Sequence, residues 1–163
     1  FADRYPDSEF NIIGSGPEES RLRGLINNSS LDTKVNLLGQ MPRGELLSRM
    51  SLHDVFLFPS LRDGGGAVVI EAMAAGKPVV CLDVGGPGMH VSDGWGFKIT
   101  PTTPKDAING LASALEQLYL DPDLRQRMGR AARKRSEDFY HWNKLGDQLM
   151  GIYQGAIDAS QDA

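Results

Sequence analysis

Two carboxylates, Asp63 and Glu71, bracket the glycine run Gly64 to Gly66, which opens onto Ala67 to Ala75, a stretch apolar everywhere except at Glu71. A glycine turn that feeds a helix leaves backbone amides free beside the positive end of the helix dipole, and together they make a site for an anion such as a phosphate. A helix rises about 1.5 Å per residue, so Glu71 falls roughly 6 to 7 Å along from those amides. That is about the separation of a diphosphate from the ribose of its own nucleotide, and a carboxylate there can accept from two vicinal hydroxyls. A charge on an apolar helix is too costly to leave without a partner. An internal ion pair with Lys77 or an arginine is the competing use of Glu71. Asp63, across the loop, would face whatever lies beyond the diphosphate, the group to be transferred.

The elements that must hold these residues can be read along the chain. Phe10 to Ile13 is a short strand that ends at Gly14-Ser15-Gly16-Pro17. Pro17 and the acidic pair Glu18 and Glu19 suit a helix start, with Leu22, Leu25 and Ile26 on its buried face before Asn27 and Asn28. As a dinucleotide fingerprint this turn is incomplete, since Glu19 stands where the third glycine belongs. Val35 to Leu38 is a second strand closed by Gly39, followed by a helix from Arg43 to Met50 with Leu46, Leu47 and Met50 inward. Val55 to Phe58 and Val79 to Leu82 are two further strands, whose continuous apolar character suggests cover on both faces, and Gly96 to Ile99 is a fifth. The rhythm predicts an α/β fold: a doubly wound, mostly parallel sheet of about five strands with helices on both faces. Ligands in such folds lie beyond the carboxyl ends of the strands. The glycine turns after Ile13, Leu38, Phe58 and Leu82 all fall on that edge, which predicts one shared site.

From Thr103 the pattern is helical, with Ile108, Leu111, Leu115 and Leu118 at helix spacing. A second helix restarts at Asp121-Pro122. A last helix after His141 and Trp142 carries Leu145, Leu149, Ile152, Tyr153 and Ala156 on one stripe that needs something to pack on. The expected organisation is a ligand-binding domain over residues 1–120, a helical extension over 121–158, and a disordered tail over 159–163.

A chain of 163 residues, 40% of them hydrophobic, can bury a full core. The 17 basic and 21 acidic residues give a net charge of -4, which argues against nucleic-acid binding. No apolar run approaches the roughly 18 residues that span a bilayer, and no signal-peptide pattern opens the chain. A cytoplasmic location is expected, with peripheral attachment to a membrane left open. The lone Cys81 lies in an apolar run and reads as a buried structural thiol. His53, His90 and His141 are isolated and no carboxylates cluster at metal spacing, so no metal is expected and each histidine reads as structural or solvent-facing. Arg125, Arg127, Arg130, Arg133, Lys134 and Arg135 read as a solvated helix face, with phosphates or an acidic membrane surface as the alternative. The chain begins at Phe1, and Ala2 to Tyr5 read like the tail of a helix, so a missing upstream segment is expected.

The run PSLRDGGGAVVIEAMAAGKPVV closely resembles the signature of the retaining nucleotide-sugar glycosyltransferases of family 4, which have the GT-B fold. That signature runs Pro-Ser, Glu, Gly-Phe-Gly, then Glu-Ala-Met-Ala-x-Gly-x-Pro-Val. Ile13 to Pro17 is similar to the family's Val-Gly-x-Gly-Pro, Leu38-Gly39 to its Phe-x-Gly, Gly85-Gly86-Pro87 to its Gly-Gly-x-x-Glu loop, and Tyr140 to Tyr153 to its terminal aromatic helix. The resemblance covers nearly the whole chain. It implies the carboxy-terminal, Rossmann-like, donor-binding half of an enzyme that moves a sugar from a nucleoside-diphosphate sugar to an acceptor hydroxyl, with retention and without a required metal.

By the same resemblance Glu71 holds the donor ribose, Gly64, Gly65, Gly66, Ala67 and Val68 with Gly14 cradle diphosphate and sugar, and Gly39, Gln40 and Met41 lie by the nucleobase. Asp63 takes the place of the first glutamate of a Glu-x7-Glu pair and contacts the sugar near the reacting carbon, so Asp63 and Glu71 are the catalytic candidates. The chain departs from the pattern at Asp63, one methylene short of glutamate, at Gly65 in place of phenylalanine, and at Met89 in place of a glutamate. The family's first strand and helix of this domain, with their phosphate-binding arginine and lysine, would lie upstream of Phe1, so this segment alone is expected to be inactive. Its implied partners are the nucleotide sugar, an amino-terminal acceptor-binding domain, and a lipid-linked acceptor or membrane surface. A non-catalytic nucleotide-sugar binding module and a nucleotide-sugar epimerase of the same fold are the alternatives.

Overall fold

The computed structural model describes residues 1–161. Its strands are β1 (Phe10–Ile13), β2 (Val35–Gly39), β3 (Phe56–Phe58), β4 (Val79–Leu82) and β5 (Gly96–Ile99). The helices are α1 (Glu19–Asn28), α2 (Arg43–Leu52), α3 (Ala67–Ala74), α4 (Gly85–His90), α5 (Pro104–Leu120), α6 (Pro122–Phe139) and α7 (Trp142–Gln161). The α/β alternation and the parallel pairing are those expected. The single sheet is not: β1 pairs with β2 in one sheet, and β3, β4 and β5 form another in that order. An apolar run declares a strand but not its neighbour, and the crossover through α2 does not oblige β2 to pair with β3.

The chain divides into two compact units, Phe1–Leu52 and His53–Ala163. α5, α6 and α7 thus fall in the same unit as β3, β4 and β5. α7 is helical through Gln161, so Ala159 to Gln161 of the expected tail are ordered as helix. Residues 162 and 163 lie outside the described residues. None of the described helices is long and apolar enough to cross a membrane.

In the first unit β1 and β2 run in register from Phe10 opposite Val35 to Ile12 opposite Leu37, and a bulge then sets Ile13 opposite Gly39. Asn36 Nδ2 donates across the pair to Asn11 Oδ1 at 3.0 Å and to Glu9 Oε1 at 2.8 Å. These strands are half-buried, and Phe10 is exposed. Two strands shield each other along one edge only, which leaves little area for a core.

In the second unit β4 lies between β3 and β5 and all four of its residues are buried. Val80, Ala114, Leu118 and Met128 form a core on which Leu57, Phe97, Ile99 and Leu124 pack, so α5 and α6 cover that side of the sheet. α3 buries Val69, Ala72 and Met73. Both long helices start as their sequences dictate: the Thr103 hydroxyl accepts from the Asp106 amide ahead of Pro104, and the Asp121 carboxylate accepts from the Leu124 amide ahead of Pro122. The basic face of α6 is largely paired, with Arg133 on Glu137, Lys134 on Asp138 and Arg125 on the Leu118 carbonyl and on Asp54. The apolar stripe of α7 is exposed, with Ile152 at 68% and Tyr153 at 56%.

Candidate functional site

The glycine turn ends at Gly66, which caps α3 in a left-handed conformation, φ 61°. A side chain there would be strained and would also stand 2.9 Å from His90 Cδ2 and 3.0 Å from the Pro87 nitrogen. The turn thus packs against the segment that follows β4. That segment was read as a glycine loop; it is the short helix α4, entered from Val84 and occupied by Gly86, Pro87 and Gly88 in buried positions. The Gly86 amide donates to the Asp63 carbonyl at 3.1 Å. A methyl on Gly86 would lie 2.6 Å from the Gly65 carbonyl carbon and 2.8 Å from Gly64 O and Gly66 N, so the two glycine segments meet backbone to backbone.

Asp63 is half-buried, and its carboxylate turns back on its own loop. Oδ1 accepts from the Gly65 amide at 3.0 Å and from the Gly66 amide at 2.5 Å. Two of the amides that the sequence assigns to a diphosphate converge on one oxygen of an internal anion. Glu71 is half-buried on the same helix, five residues beyond Gly66; Ala67 is exposed and Val68 half-buried between them. Asp63 and Gly64 to Gly66 lie on one turn, and Ala67, Val68 and Glu71 on the helix it starts.

Sequence reading missed two contributors. His90 joins the Gly65 carbonyl through Nε2 at 2.9 Å and the Tyr140 hydroxyl through Nδ1 at 2.9 Å. The second segment is further fixed by Lys98, whose Nζ donates to Gly88 O at 3.1 Å and pairs with Asp83 at 3.3 Å. Partners 25 and 50 residues from His90 leave no local signal. The Asp63 contact did have one: an aspartate two and three residues before the amides at a helix start is the signature of a side chain capping its own turn.

In the first unit the Gly14 amide donates to the Gly39 carbonyl at 2.8 Å, which brings the ends of β1 and β2 together. Gln40, exposed, and Met41, half-buried, follow directly. Gly14 and the Gly39 to Met41 loop thus share one edge of their own sheet.

Cys81 is fully buried on β4, as the sequence predicts. Burial, reinforced by the nearby Asp83 carboxylate and opposed by Lys98, pushes its thiol from 9.0 up to about 11. At a pH below both values this rise lowers the thiolate fraction about 100-fold. A thiol-exchange reagent at pH 7.5 is expected to leave native Cys81 unmodified and to label it once the chain is unfolded in urea. Rapid labelling of the native protein would contradict its burial.

The family described as Glycosyl transferases group 1 matches the chain over residues 1–135. The chain belongs to this family. Among relatives of this group 1 glycosyltransferase domain, an alpha-D-kanosaminyltransferase of Streptomyces kanamyceticus is 34% identical over 93% of the chain and 38% of the relative. A D-inositol 3-phosphate glycosyltransferase of Paenarthrobacter aurescens is 34% identical over 93% of the chain and 36% of the relative. The chain therefore spans well under half the length of the curated relatives it matches. Among solved structures, a sucrose-phosphate synthase from Thermosynechococcus elongatus superposes with a TM-score of 0.80 at 29% identity, over 96% of this chain and 40% of that one. A pneumococcal O-GlcNAc transferase, determined with UDP and GlcNAc, superposes with a TM-score of 0.79 at 25% identity, over 94% of this chain and 30% of that one. The glycosyltransferase domain thus shares the α/β architecture of GT-B glycosyltransferases.

Proposed function

We propose that this domain binds the donor of a retaining glycosyltransferase, which moves a sugar from a nucleoside diphosphate to an acceptor hydroxyl without a resident metal. The observation that carries the reading is the convergence of the Gly65 and Gly66 amides on a single carboxylate oxygen. Amides already aimed at one anionic oxygen suit a phosphate oxygen in the same place, beside the start of α3. On donor binding the diphosphate takes those amides and the Asp63 carboxylate swings out toward the sugar. Glu71 accepts from the two ribose hydroxyls, and Gly64 to Val68 lie along diphosphate and sugar.

In the reaction the acceptor oxygen bonds to the anomeric carbon while the bond from that carbon to the diphosphate oxygen breaks, and the acceptor's hydroxyl proton passes to the departing diphosphate oxygen. The charge that develops on the leaving diphosphate is met by amides that need no reorganisation, and positioning supplies much of the remainder. The acceptor pocket falls to a further domain of a longer protein, in keeping with the length of the relatives.

The Asp63 contact also favours a second reading, a nucleotide-sugar binding module without turnover, because a carboxylate one methylene short of glutamate stays on its own loop. Incubation of the intact protein with a panel of nucleoside-diphosphate sugars and acceptors separates the two. A glycoside product with the donor's anomeric configuration supports the transferase; tight binding with neither transfer nor hydrolysis supports the module.

Replacing Asp63 tests the amide assignment. Two unit charges about 4 Å apart repel by about 1 kcal/mol even in water. Asp63→Asn removes that repulsion and weakens the internal competitor for the amides. The affinity for UDP, GDP or ADP, measured by calorimetry, is therefore expected to rise about fivefold, while the rate of sugar transfer by the intact protein falls. An unchanged or lower nucleotide affinity would show that the diphosphate does not use these amides.

A further inference from the structure

We propose that His90 is the positioning residue of the glycine turn, holding the Gly65–Gly66 peptide so that the Gly66 amide stays aimed at the anion. The inference rests on the donor-binding reading of that turn. Three successive glycines lose more freedom on ordering than any other tripeptide. At Gly64 and Gly65 no neighbouring heavy atom lies within 4 Å of where a Cβ would stand, so side-chain packing does not fix them. The Asp63 carboxylate holds the amide side of the turn, and in the proposed cycle that tether is released as the diphosphate arrives. On the carbonyl side the hydrogen bond from His90 to Gly65 O persists.

The geometry makes that one bond consequential. The Gly65 carbonyl and the Gly66 N–H belong to the same planar trans peptide and point in opposite directions. Fixing the carbonyl on one side therefore aims the N–H on the other. A carbonyl oxygen can only accept, so His90 Nε2 donates; Nδ1 is then an acceptor in the neutral ring and takes the Tyr140 hydroxyl proton. One tautomer satisfies both contacts. The ring is itself held: the Trp95 indole N–H donates to the His90 carbonyl at 2.9 Å, and Tyr140 meets the imidazole edge-on with ring centroids 5.2 Å apart. The end of α6 is thereby connected through Tyr140 and His90 to the start of α3.

The test compares wild type, His90→Gln, His90→Phe and Tyr140→Phe in the intact protein. Glutamine offers an N–H near the position of Nε2, whereas phenylalanine fills the space without a donor. Two readouts are taken: calorimetric affinity for UDP, GDP and ADP, and hydrogen exchange of the Gly66 amide in the nucleotide-free protein. His90→Phe is expected to weaken the nucleotide that wild type binds about tenfold and to speed Gly66 exchange by a similar factor, the loss of one net hydrogen bond. His90→Gln is expected to stay within about threefold of wild type on both readouts, and Tyr140→Phe to fall between. Should His90→Phe match wild type on both, or His90→Gln lose as much as His90→Phe, the proposal is wrong. If wild type binds none of the nucleotides, the donor-binding reading fails, while faster Gly66 exchange in His90→Phe would still uphold the positioning role.

Discussion

A Gly86→Ala variant is expected to lose about 2 to 4 kcal/mol of stability, a substantial fraction of a small domain's margin, and most of its nucleoside diphosphate affinity. The new methyl would lie 2.6 Å from the Gly65 carbonyl carbon and 2.8 Å from both Gly64 O and Gly66 N. A side chain could rotate out of the way, but three backbone atoms can give only by moving the turn. That movement displaces the Gly65 and Gly66 amides and breaks the 3.1 Å bond from the Gly86 amide to the Asp63 carbonyl. Gly64→Ala is the matched control: its methyl would meet no heavy atom within 4 Å, and less than about 0.5 kcal/mol is expected. Urea unfolding of the two variants measures the difference. A Gly86→Ala protein as stable as Gly64→Ala would show that the two glycine segments do not pack as described.

How much of this was legible in the sequence depends on whether a feature is local. β4, Val79–Leu82, has the bounds read from its continuous apolar run, and all of it is buried. α3 was legible from the glycines before it and the apolar residues within it, and the starts of α5 and α6 from Thr103-Pro104 and Asp121-Pro122. The spacing of Asp63, the glycines and Glu71 was enough to gather them at one helix start. Strand partners were not legible, because hydrophobicity marks burial and not which edge a ladder uses. α4 has no signature in the sequence because Gly85, Gly86 and Gly88 are poor helix formers with Pro87 among them; close approach of the Gly64 to Gly66 backbone selects Gly86, while Gly85 faces the Asp63 carbonyl and Gly88 faces Asp83. The His90 contacts join residues far apart in the chain, so its sequence neighbours do not reveal its partners.

Glu71→Ala is the second large effect, and it bears on the nucleotide rather than on the fold. A carboxylate that accepts from two vicinal hydroxyls makes two charge-assisted hydrogen bonds, and their loss is expected to cost about 2 to 3 kcal/mol of binding, roughly 30- to 150-fold in affinity. Alanine is the strongest helix former, and position 71 is half-buried, so α3 is expected to survive the change. The competing use of Glu71, an internal ion pair, gives the opposite pattern: lower stability with unchanged nucleotide affinity. Inorganic pyrophosphate has no ribose and isolates the amide contribution. The deciding measurement is calorimetric titration of UDP, GDP, ADP and pyrophosphate into wild type and Glu71→Ala. At least one nucleoside diphosphate is expected to bind wild type and to weaken at least 30-fold in the variant, with pyrophosphate affinity unchanged within about twofold; equal nucleotide affinities in the two proteins, or no nucleotide binding by wild type, would contradict the account.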